Sequence, residues 1–271
     1  EGDYVDGSAE GELYEHEFTP TRHSLTLPSA TVVAGKDHFE QIFQGAVVDS
    51  LTFDLDGDFA FVTLSFNAQR DSKADIKAIE DLSISTAYPL AFYEALVQIG
   101  EVGGTQADVF NVESLSLEIS NNTDAEAGIV LGSRFPQRIT AGDLEVTASM
   151  EVAFDGSEQL EYFWGGADGP NDDEQQALNI NFLFSSAPYI AEVDDEGSPV
   201  EVEIRGAELD LHMPHVLYES VSIQPSGRDR ATQSIEARAY YDEASDYELI
   251  ARLKNDVDYI TDYTGFVDIN A

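Results

Sequence analysis

The sequence of 271 residues contains no cysteine and few basic residues. Without cysteine there is neither a disulfide framework nor a thiolate metal site, and the redox compartment cannot be inferred. Thirteen Lys and Arg stand against 53 Asp and Glu, which gives a net charge of −40. A protein that binds DNA tightly needs Lys and Arg to displace counterions from phosphates, so this balance argues against tight DNA binding.

Long apolar runs and catalytic motifs are also missing. No run approaches the roughly 18 apolar residues needed to cross a bilayer, so we expect no membrane span. The sequence has no Gly-x-Ser-x-Gly nucleophile motif, phosphate-binding loop or dinucleotide fingerprint. We therefore predict a protein that is not an enzyme and that uses no cofactor.

The acidic excess has two interpretations. A highly charged chain is often disordered, but 12 Tyr, 15 Phe and strong alternation of apolar and polar residues argue against disorder here. Self-repulsion destabilises a compact acidic chain, whereas at about 1 M salt the Debye length is only about 3 Å and most repulsion is screened. We therefore predict a halophilic protein.

The clearest pattern lies in residues 109–154. Leu115, Leu117 and Ile119 recur at every second position, as do the apolar residues between Leu144 and Val152. Such alternation predicts two long strands, each with one buried and one solvated face. The polar, Gly-containing loop between them, residues 122–143, predicts an antiparallel pair.

Alternation continues along most of the chain and predicts an all-β fold with one or two short helices. Residues 1–11 form a flexible acidic arm, 12–255 one β domain and 256–271 an acidic tail that docks on a partner. Further strands are expected at 12–19, 47–55, 59–69, 177–185, 200–211, 216–224, 232–241 and 247–254, with 236–241 and 249–253 as a hairpin. Helices are expected at 72–82, with Ser72 as N-cap, and at 157–164, with one helical turn at 38–43.

An internal echo links two of these strands. Val48–Leu55 matches Val112–Ile119 position by position with conservative changes, and each segment is followed by a second alternating run. Either a strand-pair unit, 45–69 and 109–154, is duplicated, or two strands have converged on one pattern.

Candidate metal ligands are weak. Asp54, Asp56 and Asp58 alternate around Gly57 as at the start of a calcium loop, but the twelfth position, where a bidentate Glu is needed, is Ser65. A hairpin turn at Asp56-Gly57 is the alternative and the better account. His212-Met213-Pro214-His215 offers two imidazoles without a third ligand nearby, which favours a turn between strands. Carboxylate pairs such as Asp172-Asp173 and Asp194-Asp195 are expected by chance in so acidic a chain.

The central segment resembles the tail tube proteins of long-tailed, siphovirus-like viruses. The matching residues are Ser114-Leu115-Ser116-Leu117 with Asn121-Asn122, then Gly132-Ser133-Arg134-Phe135-Pro136, Gly142 to Phe154, and the short helix Ser157–Trp164. The resemblance extends less sharply over residues 39–255.

That resemblance implies a tail-tube-type β-sandwich whose long strands join an oligomeric β-barrel ring. Rings, usually hexameric, stack into a virion tail that is assembled in the host cytoplasm and conducts viral DNA without binding it tightly. Strands in 45–69 and 109–154 are candidates for the lumen wall, and the arm and loop 122–143 for contact between rings and with other tail proteins. With the acidic charge, the expected host is a haloarchaeon.

Three alternatives remain at this point. If the echo marks two tube units in one chain, a ring needs three chains rather than six. A related ring component of the tail, such as a baseplate or distal tail protein, would share the fold. A protein of another class, a monomeric calcium-dependent β-sandwich that binds carbohydrate or another surface, would use Asp54, Asp56 and Asp58.

Overall fold

The computed structural model describes residues 4–5, 14–20, 27–36, 38–57, 59–75, 90–170, 175–185, 208–224 and 231–255. The described part is mostly antiparallel β-structure, which confirms the predicted all-β class. Two 3-10 turns, Phe92–Glu94 and Glu126–Gly128, and one α-helix, α1 (Glu158–Trp164), accompany the strands. The strands are β1 (Tyr4–Val5), β2 (Tyr14–Phe18), β3 (Ala30–Lys36), β4 (Phe39–Asp56), β5 (Ala60–Asn67), β6 (Arg70–Ala74), β7 (Ala95–Glu101), β8 (Ala107–Val109), β9 (Val112–Ser120), β10 (Glu145–Ala153), β11 (Leu178–Ser185), β12 (Glu208–Gln224), β13 (Thr232–Ala239) and β14 (Ile250–Asn255).

The strands form two layers that share β12. One layer has the order β5-β4-β9-β10-β13-β12, and the other β8-β7-β11-β12-β14-β2-β1. The second half of β12 pairs with β13, and its first half pairs with β11 and β14. Because one bent strand belongs to both layers, the sheet folds over onto itself and encloses a single core.

The core consists of the apolar faces that the alternation predicted. Leu115 and Leu117 of β9 are 3% and 0% exposed, and Phe53 of β4 meets Phe184 of β11 with ring centroids 4.8 Å apart. Fully burying one such side chain stabilises the fold by about 1.5–3 kcal/mol, so this interlayer packing is the main stabilising term.

The echoed segments are neighbours in one sheet. β4 and β9 pair antiparallel with Leu51 opposite Ile119 and Phe53 opposite Leu117. β5 pairs with the far edge of β4, and β10 with the far edge of β9. The two strand pairs therefore form one four-stranded unit with approximate two-fold symmetry.

The long strand β4 contradicts one helix prediction and part of another. Its first half pairs with β3 on one edge and β6 on the other, so residues 38–43 are not a helical turn. Ser72 lies in β6 opposite Ile42 and caps no helix. Residues 76–82 of that predicted helix lie outside the described residues. In both segments, pairing with a neighbouring strand outweighs the preference for a helix that the local spacing of apolar residues indicated.

Two predictions near β12 are also wrong. β13 and β14 both run antiparallel to β12 along its same edge, since Val216 pairs with both Leu178 and Ala239. They are therefore parallel to each other and cannot form a hairpin. The segment His212–His215 is no turn between strands, because it lies within β12. Pro214 is tolerated there because the register shifts between Met213 and Val216, so no ladder hydrogen bond is lost.

Helix α1 lies where the sequence predicted it. Gly165 follows it in the left-handed conformation (φ 77°), and its N–H bonds back to the carbonyls of Glu161 and Tyr162. Tyr218 of β12 donates to Gln159 Oε1 at 2.6 Å, which fixes the helix on the sheet. Burial raises the pKa of Tyr218 far above its ordinary value. Among the described residues, no helix has the length and apolar character of a membrane span.

Of the predicted arm, Tyr4–Val5 pairs with β2. The rest of residues 1–11, the tail 256–271 and both carboxylate pairs lie outside the described residues.

Candidate assembly surfaces

Strand β5 presents an unpaired edge and an exposed apolar row. Among the described strands it pairs with β4 alone, and outside that pair only its first residue, Ala60, is engaged, since its N–H donates to the carbonyl of Leu90 at 2.9 Å. Val62, Leu64 and Phe66 are 58%, 47% and 38% exposed. They lie on the core side of the sheet, because Val62 pairs with buried Phe53 and Leu64 with Leu51. The packed core therefore does not extend over β5, and these three side chains remain exposed.

This edge has a physical consequence. An edge strand offers a row of free N–H and C=O groups to another strand, and proteins that remain monomeric usually protect such edges with charge, Pro or bulges. The described residues of β5, AFVTLSFN, contain no charge and no Pro. Burying the rest of each exposed apolar side chain would add roughly half of the stabilisation of full burial, which is about 1.5–3 kcal/mol, because each is already about half-buried. The edge is open to pairing with another strand.

The opposite face of the same layer is polar and acidic. We call it the polar face; it consists of the outward side chains of β4, β9, β10 and β13, namely Thr52, Asp54, Asp56, Ser114, Ser116, Glu118, Ser120, Glu145, Thr147, Ser149, Glu151, Ser234, Glu236 and Arg238. Its one basic side chain, Arg238, is bound to Glu145 at 2.8 Å. The face therefore presents small hydroxyls and net negative charge.

Loop 122–143 is anchored to β4 through Asn121 and Thr123. Asn121 Nδ2 donates to the carbonyl of Val48 at 3.0 Å, and the Thr123 N–H donates to Asp49 Oδ1 at 2.9 Å. Asn67 Nδ2 at the end of β5 donates to Thr123 Oγ1 at 2.8 Å. The Asn and Thr of the sequon Asn121-Asn122-Thr123 thus tie the loop to the hairpin β4–β5.

Two glycines allow the loop to fold this closely. A Cβ on Gly128 would lie 1.9 Å from the carbonyl oxygen of Arg138, and one on Gly142 would lie 2.4 Å from that of Asn122. No other residue fits at such distances. Ser133 Oγ donates to the carbonyl of Phe135 at 2.6 Å, which shapes the segment Gly132–Pro136.

The described residues do not assemble a calcium site. Asp54 accepts a hydrogen bond from Ser116 Oγ, and Asp56 is exposed at the end of β4. Asp58 lies outside the described residues. The turn itself is the predicted hairpin, with Leu55 opposite Ala60 and Gly57 left-handed (φ 88°). Across the described ranges, no group of three or more His, Asp or Glu could hold a metal ion.

The two histidines of β12 have separate partners. His212 Nε2 lies 2.8 Å from Asn179 Oδ1, and Nδ1 lies 3.2 Å from Tyr247 Oη. His215 instead packs edge-on against Tyr240, with ring centroids 6.5 Å apart. Burial lowers the pKa of His212, partly opposed by Asp210 and helped by Arg252. Both histidines therefore make contacts with neighbouring side chains of the fold.

Sequence reasoning missed a cleft of about 330 Å³ at one end of the sheet. Its lining comes from three separate parts of the chain, namely residues 108–111, residues 152, 153, 155, 156, 158 and 159, and Gln233. Because these three parts are far apart in the chain, no local pattern joins them. The one local signal is Phe110, an aromatic residue in a turn that is 85% exposed.

Comparison with known proteins identifies one family. The family model described as phage tail tube protein matches residues 3–239. No curated protein sequence matches the chain. Among solved structures, a chain of the anti-feeding prophage baseplate, determined by cryo-EM with six-fold symmetrisation, is similar with a TM-score of 0.32 and 12% identity. The similarity covers 59% of this chain and 94% of that one, and at this TM-score it carries no argument about function.

Proposed function

Because the chain belongs to the phage tail tube protein family, we propose that it is the major tail tube subunit of a long-tailed virus. The family is structural and non-enzymatic, so the protein is a structural component of the virion tail. In the proposed role its copies form rings, and the rings stack into the conduit through which viral DNA passes to the host.

The observation that carries this proposal is the unpaired, apolar edge of β5. In a closed ring, an edge strand of each subunit pairs with its neighbour, so no edge remains exposed. The exposed row Val62, Leu64 and Phe66 then becomes buried between subunits. A monomeric binding module would leave this row in water.

The polar face supports the assignment of the lumen wall. The candidate segments 45–69 and 109–154 contribute the adjacent strands β5, β4, β9 and β10, and their outward side chains form one continuous surface that is polar except for Phe61 of β5. Its carboxylates repel DNA phosphates, and the one basic side chain of the polar face, Arg238, is paired with Glu145. Such a wall suits a channel through which DNA slides.

Six chains per ring is the proposed symmetry. One family match spans residues 3–239, and the echoed strand pairs share one core instead of forming two separate units. Both observations favour one tube unit per chain over the trimer alternative. The net charge of −40 supports a host that lives in molar salt, such as a haloarchaeon.

Negative-stain electron microscopy of the purified protein in about 2–3 M salt, where repulsion is screened, tests the proposal. Hollow six-fold rings and tubes are expected. Monomers alone would overturn the tube role, and a thermal melt with and without calcium would then test the surface-binding alternative. Single rings that never stack, even at high concentration, would favour a baseplate-type ring component.

A further inference from the structure

Loop 122–143 exposes three consecutive aliphatic side chains. Ile129, Val130 and Leu131 are 54%, 50% and 105% exposed, and we call them the apolar tip. The tip has an ordered base, because the Ser133 N–H donates to the carbonyl of Val130 at 3.1 Å and the Gln137 N–H donates to that of Gly128 at 2.8 Å. A hydrogen-bonded loop that holds aliphatic side chains out in water indicates that something else covers them.

Basic residues gather beside the apolar tip. Arg134 and Arg138 lie in the same loop, and Arg70 lies against it, with its guanidinium 5.6 Å from the ring centroid of Phe135. None of the three forms an ion pair with a carboxylate of the described residues, whereas Arg238, Arg252 and Lys254 all do. In a chain with 13 basic and 53 acidic residues, three arginines without an ion pair at one place supply positive charge to a loop that also carries Asp124, Glu126 and Asp143.

The cleft has the complementary properties. Val109, Phe110 and Val152 give it an apolar lining, and Asp108, Asp155 and Glu158 make it acidic. Asp108 and Asp155 accept hydrogen bonds from the neutral amides of Gln98 and Asn111. No basic residue within the described ranges forms an ion pair with any of these three carboxylates. A volume of about 330 Å³ admits one or two aliphatic side chains.

An unsatisfied donor inside the cleft points to a ligand. Gln233 is 1% exposed, and its Nε2 has no hydrogen-bond partner among the described residues. Leaving such a donor unpaired in the interior is unfavourable. An inserted loop would satisfy it with a backbone carbonyl.

The apolar tip and the cleft lie at opposite ends of the strand pair β9–β10. Phe110 precedes β9, the loop follows it, and the nine residues between span about 30 Å at about 3.3 Å per residue. A subunit therefore cannot fill its own cleft with its own tip. Two different surfaces that fit each other produce a head-to-tail contact, which stays open along one direction.

We propose that the apolar tip of one copy of this chain docks into the cleft of the next copy along the strand direction. Arg134 and Arg138 then face Asp108, Asp155 and Glu158, and Gln233 donates to the backbone of the inserted loop. The inference rests on the proposed tube function, in which the β5 edge joins copies side by side. Tip and cleft then join one ring to the next.

Two variants and their mixture test the contact in about 2–3 M salt. Leu131→Asp removes the apolar tip and Phe110→Asp changes the cleft, and both side chains are so exposed that the subunit should still fold. Each variant alone should form rings that do not stack. The mixture should form pairs of rings and nothing longer, because only one kind of junction, intact tip to intact cleft, is possible. Sedimentation velocity and negative-stain microscopy distinguish single rings, pairs and tubes.

Ala127→Asp and Phe110→Leu are the matched controls. The first adds the same charge to the same loop outside the tip, and the second keeps the cleft apolar, so both should still form tubes. Tubes from Leu131→Asp, or rings of both variants that form no pairs on mixing, would overturn the proposed contact while the tube function stands. A wild-type protein that forms no rings would overturn both.

Discussion

His212 shows at the residue scale how burial changes the chemistry of a side chain. Its ring lies between Asn179 and Tyr247, and the charges of Asp210 and Arg252 act on its pKa in opposite directions. Burial lowers its pKa, so the folded protein favours the neutral ring. The unfolded chain has the ordinary pKa of about 6.5 and binds a proton more readily.

We predict that His212 destabilises the protein as the pH falls. Above about pH 7 the ring is neutral in both states, and stability is unaffected. Below about pH 6.5 the unfolded state takes up more protons, so the free energy of unfolding decreases until the folded-state pKa is passed. Thermal unfolding of the wild type and of His212→Gln between pH 8 and pH 5 measures the effect.

Asp and Glu side chains in general begin to take up protons at about pH 5. Comparing the wild type with His212→Gln separates the effect of His212 from theirs. His212→Gln keeps a polar side chain at the site but cannot be protonated. Its melting temperature should therefore fall less than that of the wild type over the same interval. Parallel curves would show that His212 does not titrate differently in the two states.

At the scale of secondary-structure elements, the hairpin β4–β5 has the largest effect on the fold. β4 has 18 residues, and its first half forms a small sheet with β3 and β6 while its second half enters the main layer. The local sequence of 38–43 favoured a helical turn, but strands on both edges supply backbone partners to the extended residues from Glu40 to Phe43. Apart from the bond between Ala60 and Leu90, the outer edge of β5 has no strand partner among the described residues.

Leu64→Lys should abolish ring formation and leave the subunit folded. Leu64 is 47% exposed in the single chain, so its loss from the core is small, whereas a lysine on an edge strand opposes pairing with another strand. The expected result is a monomer whose melting temperature lies within a few degrees of that of the wild-type subunit. Size-exclusion chromatography and circular dichroism measure the two properties.

Thr63→Lys is the control for this variant. It introduces the same charge on the same strand, but on the polar side, opposite Thr52. If the apolar row forms the contact between subunits, Thr63→Lys should still assemble at molar salt. Equal loss of rings from both variants would show that charge alone, and not the apolar row, controls assembly.

At the scale of the whole molecule the net charge of −40 dominates. The described ion pairs involve Arg238, Arg252 and Lys254 and are all partly exposed, so each contributes little. They cannot offset repulsion among 53 acidic residues. Screening by salt is the remaining way to reduce that repulsion.

We predict that the melting temperature rises steeply as salt increases from about 0.1 M to about 3 M, as the Debye length shrinks from about 10 Å to about 3 Å or less. Differential scanning calorimetry in NaCl and KCl measures the rise. Sucrose at matched osmolality is the control, because it favours compact states without screening charge. An equal effect of sucrose would contradict electrostatic stabilisation.

The sequence alone determined which residues are buried in most strands. Leu115 and Leu117, Val146 to Val152 and the short helix at 158–164 lie where alternation and capping predicted them, because side-chain direction in a strand and the end of a helix at Gly165 depend on neighbouring residues. The charge and the missing motifs likewise argued, without any structure, against tight DNA binding and against an enzyme.

Only the tertiary structure decided which strands are neighbours and what their ends expose. The course of β12 through Pro214, the absence of a β13–β14 hairpin and the free edge of β5 all depend on partners far away in the chain. The cleft beside Phe110 takes its lining from three separate segments. Local sequence records each residue's preferred conformation, but it does not record which distant backbone satisfies its hydrogen bonds, and that pairing determines the surfaces available for assembly.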